Sequence, residues 1–297
     1  MKSYFQFLLI VTLITYFSCN RKEEVEQYAA TEIFPSDSIL DNIAVKKALV
    51  ITAHDDDICV MSGTISKLNE GGWEIIHAYI PNQSEDRDAT HLRAASQILD
   101  EVKYIDTKGK QHRKDLDTDV VLWAAMPKSQ IKEVFDFDIV RPEIVKIAND
   151  FSPTIIFTLD NEIGGYGHPG HVFISQLVLD LAKENKINPK YIYQGVLTKH
   201  MERTILEERH VRRMKSWGYE GDGFAKAKLA YGVDGMPEPS VQVNIIDQAK
   251  TKMKFLRSYN ERERKTMGFY IPAFEQYEAE EYFKIFDREF FRVIEIN

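Results

Sequence analysis

Along the chain, short apolar runs rich in β-branched residues alternate with stretches whose apolar positions recur every three or four residues. The runs read as strands buried on both faces, and the periodic stretches as amphipathic helices. Lys46 to Ala53 is the first strand. A helix follows over Val60 to Glu70, with Met61, Ile65 and Leu68 on one face and Gly71-Gly72 closing it. Trp73 to Ile80 alternates into a second strand ended by Pro81-Asn82, Asp88 to Asp100 is a helix, and Val102 to Ile105 is a short third strand. Asp106 to Phe137 is charged, irregular and long for a connection, as a functional lid would be. The pattern then resumes: a helix over Asp138 to Asn149, a strand over Thr154 to Leu159, a helix over Val172 to Glu184 with Pro169 near its first turn, and a strand over Tyr191 to Thr198. Helical segments fill Met201 to Met236 around a glycine-rich bend at Gly218 to Gly223, and Val241-Gln242-Val243 precedes a helix from Ile246 to about Tyr259. This order predicts the α/β class: a Rossmann-like open parallel sheet with helices on both faces, right-handed crossovers, and a single domain over 44–297.

Composition narrows the role. Hydrophobic content of 44% and charged content of 28% are ordinary for a globular protein. A net charge of −8 gives no electrostatic reason to bind nucleic acid, so none is expected as a partner. The basic-leaning stretch from Lys199 to Lys228 reads as solvated helix faces. No G-x-G-x-x-G opens the first crossover, which disfavours a dinucleotide-dependent oxidoreductase.

The first residues have the layout of a secretory signal: Lys2, an apolar core from Phe5 to Phe17, then Ser18-Cys19. Ser18-Cys19 resembles a bacterial lipoprotein cleavage site, although Tyr16 stands where Leu is usual. The expectation is a signal peptide over 1–18, a lipid on Cys19, a polar flexible tether over 19–43, and an exported protein anchored to a bacterial membrane. With Cys19 acylated, Cys59 has no partner and reads as a buried, inert thiol.

Chemistry concentrates at two strand ends. Ala53-His54-Asp55-Asp56-Asp57 closes the first strand, and Gly164-Gly165-Tyr166-Gly167-His168-Pro169-Gly170-His171 follows the Thr154–Leu159 strand. Open α/β sheets place ligands at the carboxyl ends of their strands. Three clustered carboxylates there need a cation or donors to offset their burial. Two His and an Asp could converge on one metal, with a further acid, imidazole and phenol around it.

These stretches resemble the motifs of the PIG-L/LmbE family of zinc-dependent N-acetylglucosamine de-N-acetylases, A-H-P-D-D-E and H-P-D-H preceded by G-G-Y-G. Here they read AHDDDI and GGYGHPGH. Asp55 stands at the family's Pro, Ile58 at its usual Glu, and Gly170 at a common Asp. The resemblance implies His54, Asp57 and His171 as metal ligands, for Zn2+ or another divalent ion such as Fe2+. It implies Asp56 as the general base toward a metal-activated water, and His168 as a proton donor or charge stabiliser. Tyr166 would assist the oxyanion and Asp55 would be a helix cap or supporting acid. Arg87 or Arg93 would contact substrate. The expected activity is removal of the N-acetyl group from an N-acetylglucosamine-type sugar or glycan. The alternatives are hydrolysis of another amide or ester by the same site, or a noncatalytic glycan-binding lipoprotein.

Overall fold

The computed structural model describes residues 23–81, 84–107, 125–219 and 221–296. Its centre is a seven-stranded sheet: β1 (Lys47–Thr52), β2 (Glu74–Tyr79), β3 (Glu101–Tyr104), β4 (Ile155–Leu159), β5 (Tyr191–Val196), β6 (Val241–Asn244) and β7 (Arg288–Glu295), in spatial order β3-β2-β1-β4-β5-β7-β6. The first five strands are parallel to one another. β7 runs antiparallel to both β5 and β6, so the expected parallel sheet carries a mixed edge. The reason lies in the connection. Helix α8 (Ala279–Ile285) ends only two residues before β7, so the last strand enters the gap beside β5 from the opposite end. Arg288 and Glu289 open β7 with charge and Arg292 splits Phe290-Phe291 from Val293-Ile294, which hides the strand in the sequence.

The Ala48–Ile51 side chains of β1 are 0–1% exposed, as a central parallel strand covered on both faces requires. The covering helices are α1 (Ser62–Glu70), α2 (Glu85–Ala95), α3 (Phe137–Phe151) and α4 (Pro169–Lys183). The C-terminal third adds α5 (Gly223–Tyr231), α6 (Ala249–Arg257) and α7 (Glu261–Met267). Helix α6 packs against α1 and α2, whereas α3 packs against α4. Right-handed crossovers leading away from β1 and β4 in opposite directions place these two groups on opposite faces. The helix after β2 starts earlier than expected, because the Ser84 hydroxyl caps the Arg87 amide.

The expected signal segment and Cys19 lie outside the described residues, as do residues 108–124 of the expected lid. The expected flexible tether is corrected over 23–43. Val25 and Tyr28 are buried, Glu23 grips Arg209 at 2.6 and 3.0 Å, and Ser36 bridges to Gln242 beside β6. Two buried side chains and a bidentate ion pair hold this stretch against the C-terminal third, where a polar composition alone suggested slack. Among the described residues, no helix is long and apolar enough to cross a membrane.

Strand order reverses between β1 and β4, the first leading left through α1 and the second right through α4. The loops leaving these two adjacent strands therefore diverge, opening a crevice at their carboxyl ends. Both chemistry-bearing motifs sit there.

Candidate metal centre

After Thr52 the chain turns into a short 3-10 segment, Asp56–Val60, which folds Asp57 back over His54. Asp57 Oδ2 accepts the His54 backbone N–H at 2.8 Å and lies 3.3 Å from His54 Nδ1. Asp57 Oδ1 lies 3.0 Å from His171 Nε2, and the two imidazole nitrogens are 3.0 Å apart. Zinc–nitrogen bonds of about 2.0–2.1 Å in a tetrahedron would put ligand atoms roughly 3.3 Å apart. The His171 tautomer agrees with this use. Its Nδ1 is 3.0 Å from the Gly164 carbonyl, which can only accept, so the neutral ring keeps Nε2 bare and pointed at Asp57 and His54. The three groups fit a divalent cation.

The loop that carries His171 is shaped by Asp160, a residue the sequence reading passed over. Its carboxylate is fully buried and accepts four backbone N–H groups, from Glu162, Ile163, Gly164 and Gly165. Gly164 has φ +66, and a Cβ there would meet the Val172 amide at 2.9 Å. Gly167 has φ +102 and would drive a Cβ into Ala227 of α5. Only glycine fits either place.

His168 caps α4, its Nδ1 accepting the Gly170 N–H at 3.1 Å, which leaves Nε2 to carry the proton of the neutral ring. Its ring stacks on His171 at 4.6 Å and meets His54 edge-on at 4.7 Å. His54, His168 and His171 each offer a nitrogen within 4.8 Å of the others, so His168 adjoins the ligand set directly. His54, Asp56 and Asp57 form a second such group.

Asp56 and Asp55 share one arginine. Arg87 donates to Asp56 Oδ1 at 2.8 Å and to Asp55 Oδ1 at 2.7 Å, and lies 3.3 Å from Glu263 of α7. Of the two arginines, Arg87 lies at the site, and Arg93 bonds Thr90. Asp55 is not a helix cap, since its side chain makes no capping bond. It is 1% exposed and clamps Arg87 beside Asp56. Burial, followed by the charge of Asp56, pushes its carboxyl up to about 6 against the pull of Arg87.

Tyr166 stacks on Tyr270 at 4.3 Å and stands edge-on to His171 at 5.2 Å. Burial pushes its phenol well above the usual range, so near neutral pH it is a hydrogen-bond donor. Tyr270 in turn lies 5.3 Å from the His210 ring. Neither was singled out, and a lone Tyr or His in an irregular C-terminal stretch gives no local signal. Cys59 is buried and its thiol is pushed up by burial, as expected of an inert residue.

Behind the first loop runs a buried polar chain. Tyr259 OH is 2.7 Å from His91 Nδ1, His91 Nε2 is 3.1 Å from His77 Nδ1, and His77 Nε2 is 2.8 Å from Thr52 Oγ1, which donates to the His54 carbonyl at 2.6 Å. Every member is buried. Burial lowers His77 to about 3 and His91 well below its usual value, so both rings are neutral.

The fold and this centre define an α/β protein with a candidate metal site at the switch point of its sheet. Residues 49–182 match the PIG-L family, described as GlcNAc-PI de-N-acetylase, and over that stretch the chain is PIG-L/LmbE-like, as its two motifs implied. No curated protein matches it by sequence search. Similar solved structures include an N,N'-diacetylchitobiose deacetylase from Pyrococcus horikoshii, at 17% identity over 87% of this chain and 89% of that one, with a TM-score of 0.45. They also include the A40926 pseudoaglycone deacetylase Dbv21 (13%, 85% and 99%, TM-score 0.42). A third is the 4-carboxy-2-hydroxymuconate hydratase GalB from Pseudomonas putida KT2440 (12%, 84% and 96%, TM-score 0.46). At such identities and scores these likenesses carry nothing beyond the family match.

Proposed function

We propose that the protein is a metal-dependent hydrolase that removes the N-acetyl group from an N-acetylglucosamine-type sugar or glycoconjugate. The observation that carries this reading is the convergence of His54 Nδ1, Asp57 and His171 Nε2 within 3.0–3.3 Å at the switch point. Asp56, His168 and Tyr166 adjoin it. His54, Asp57 and His171 would hold the cation, and a nitrogen–oxygen donor set suits Zn2+ and also Fe2+. Bound there, the ion supplies Lewis acidity toward a carbonyl oxygen and brings the pKa of water toward ~7. Asp56, fixed by Arg87, accepts the proton of the water that adds to the amide carbonyl. Tyr166 donates to the oxyanion as it develops. His168, with Nδ1 tied to the Gly170 amide, has Nε2 to deliver a proton to the departing amine.

The test separates ligands from proton carriers. Acetate release from a panel of N-acetylated sugars and polysaccharides should stop on chelation and return with zinc or another divalent ion. His54→Ala, Asp57→Ala and His171→Ala should each lose metal together with activity. Asp56→Asn should keep the metal and lose about 10²–10⁴ in turnover, the usual worth of a general base. Near-normal turnover of Asp56→Asn, or a metal-free Asp56→Asn protein, overturns the assignment.

Export through a lipid anchor on Cys19 belongs to the same proposal, supported by Lys2, the apolar core over Phe5 to Phe17, and Ser18-Cys19. The mature chain should begin at Cys19 and partition with membranes, and Cys19→Ala should abolish that partition. Unprocessed full-length protein in the cytosol would refute it.

A further inference from the structure

One wall of the metal centre opens into a cavity that an N-acetyl group cannot account for. Its enclosed volume is about 140 Å³. Asp56, Asp57, Tyr166 and His171 form its catalytic end. Beyond them the wall is hydrocarbon and thioether: Met201, Ile205, Met236, Met267, Phe283 and Phe290, all buried.

Most polar groups of the wall already have partners; the exception among the described residues is the buried Tyr282 hydroxyl. Asp56 is held by Arg87, and Tyr166 stacks on Tyr270. Glu289 accepts the Gly63 and Thr64 N–H groups at 2.9 and 2.7 Å and pairs with Lys252. Arg288 is taken by Asp287, the Glu32 carbonyl and Gln242. Sugar hydroxyls placed here would lose water and find few partners, at a cost of about 1–3 kcal/mol for each polar group left unpaired. An alkyl chain has no such requirement. The three methionines give the lining thioethers that adapt to such a chain. Arg87, which holds Asp56 of the cavity wall, also lines a recess of opposite character, with Ser84, Asp86, Asn260, Glu263 and Lys265. That recess offers what hydroxyls need.

We infer that the cavity takes the hydrocarbon chain of an N-acyl group longer than acetyl, with the amine-bearing sugar on the polar side. The inference rests on reading the centre as an amide hydrolase. Since Asp57 and His171 lie in the cavity wall, a chain that fills the cavity begins at the carbonyl carbon undergoing attack. The reaction is R–CO–NH–R′ + H2O → R–COO⁻ + R′–NH3⁺: the C–N bond breaks, the water oxygen stays with the fatty acid, and the amine leaves protonated.

The experiment compares N-acylglucosamines from acetyl to dodecanoyl with alkyl glycosides of N-acetylglucosamine that carry the same chains at the other end. The expected result is a rise in kcat/KM along the acyl series of about fourfold per methylene until the cavity is full, the factor that burial of one CH2 corresponds to. The glycoside series should stay flat. Ile205→Trp, which fills the cavity, should lower the ratio of decanoyl to acetyl kcat/KM. Independently of turnover, metal-free protein should bind N-decanoylglucosamine with a negative heat-capacity change, the mark of apolar burial. Binding without hydrolysis at any chain length would refute the hydrolase reading and leave the cavity assignment standing. Acetate release with kcat/KM falling as the acyl chain grows, or a gain confined to the glycoside series, would overturn the cavity assignment.

Discussion

The two loops that supply the metal-ligand residues are held in opposite ways. The loop carrying His171 is held locally: Asp160, the first residue after β4, takes four of its N–H groups, and glycines at positive φ let the backbone close around that carboxylate. The loop carrying His54 and Asp57 is held remotely, by a chain of side chains from β2, α2 and the residues after α6, and by Arg87 of α2. A local cradle depends on one residue, so removing it should remove the loop. A distributed brace divides the same task among several partners, and each removal should cost less.

The cradle gives the largest expected effect. Asp160→Ala leaves four N–H groups unsatisfied in a buried loop, and each unpaired buried group costs about 1–3 kcal/mol. Even with partial relaxation the loss should reach at least about 3 kcal/mol, seen as a lowered urea midpoint. The same change frees Gly164, whose carbonyl orients His171 Nδ1, so metal affinity should fall about 10–100-fold, as for other groups that orient a ligand. A variant that retains both stability and metal affinity would mean that the glycine turn closes without its carboxylate.

The same contrast explains what could be read in advance. The strands from β1 to β5 and the clustering of His54, Asp56, Asp57, Tyr166, His168 and His171 were legible, because apolar runs and the two His motifs are signals carried by adjacent positions. Asp160 was also within reach: an Asp between a buried strand and a glycine-rich turn is a natural acceptor for that turn's amides. Tyr259, Glu263 and Tyr270 were not, since each is an isolated polar residue whose partner lies in another part of the chain. Tyr259 meets His91 across 168 positions. β7 escaped because Arg288 and Arg292 sit inside it, and Arg292 is reconciled with its place by Gln194, Asn161 and Glu162. The flexible tether was misjudged for the same reason: Glu23 looked like a solvated charge until Arg209 was brought to it by the fold.

The brace should respond to acid, and the sign follows from its two neutral histidines. His77 is lowered from about 6.5 to about 3, so between those values the unfolded chain binds a proton that the folded chain refuses. Stability from this source is fully present above pH 6.5 and is lost as pH falls toward 3. The slope is about 1.4 kcal/mol per pH unit for each such group, or about 2 kcal/mol at pH 5 for His77 alone. His91 is shifted in the same direction and adds to it. Carboxylates titrate over part of this range, so the comparison to make is with His77→Gln, whose stability curve between pH 4 and 6.5 should be shallower by one proton. An unchanged slope would place a charged His77 in the folded protein.

The smallest effect should come from the far end of the brace. Hydrogens along it can run in one of two directions. In the first, Tyr259 donates to His91, His91 to His77, His77 to Thr52, and Thr52 to the His54 carbonyl at 2.6 Å. In the second every hydrogen turns round, and the chain ends with Tyr259 donating to the Asp55 carbonyl at 3.3 Å. The shorter terminal bond favours the first, which requires His77 to carry its proton on Nε2 and His91 likewise. Tyr259→Phe leaves His91 Nδ1 without a partner in either direction, a cost of about 1–3 kcal/mol for one buried group. In the first direction the bond from Thr52 to His54 survives, so metal affinity should change far less than in Asp160→Ala. In the second, the Asp55 carbonyl loses its donor and Arg87 its fixed neighbour, so turnover should fall with stability. Ring nitrogen shifts of His77 and His91 in the unmodified protein distinguish the two directions, since a bare nitrogen and a protonated one resonate far apart. If Nδ1 proves to be the protonated atom in both rings, the brace ends on Asp55, and Tyr259 is tied to the site more closely than the shorter bond at His54 implies.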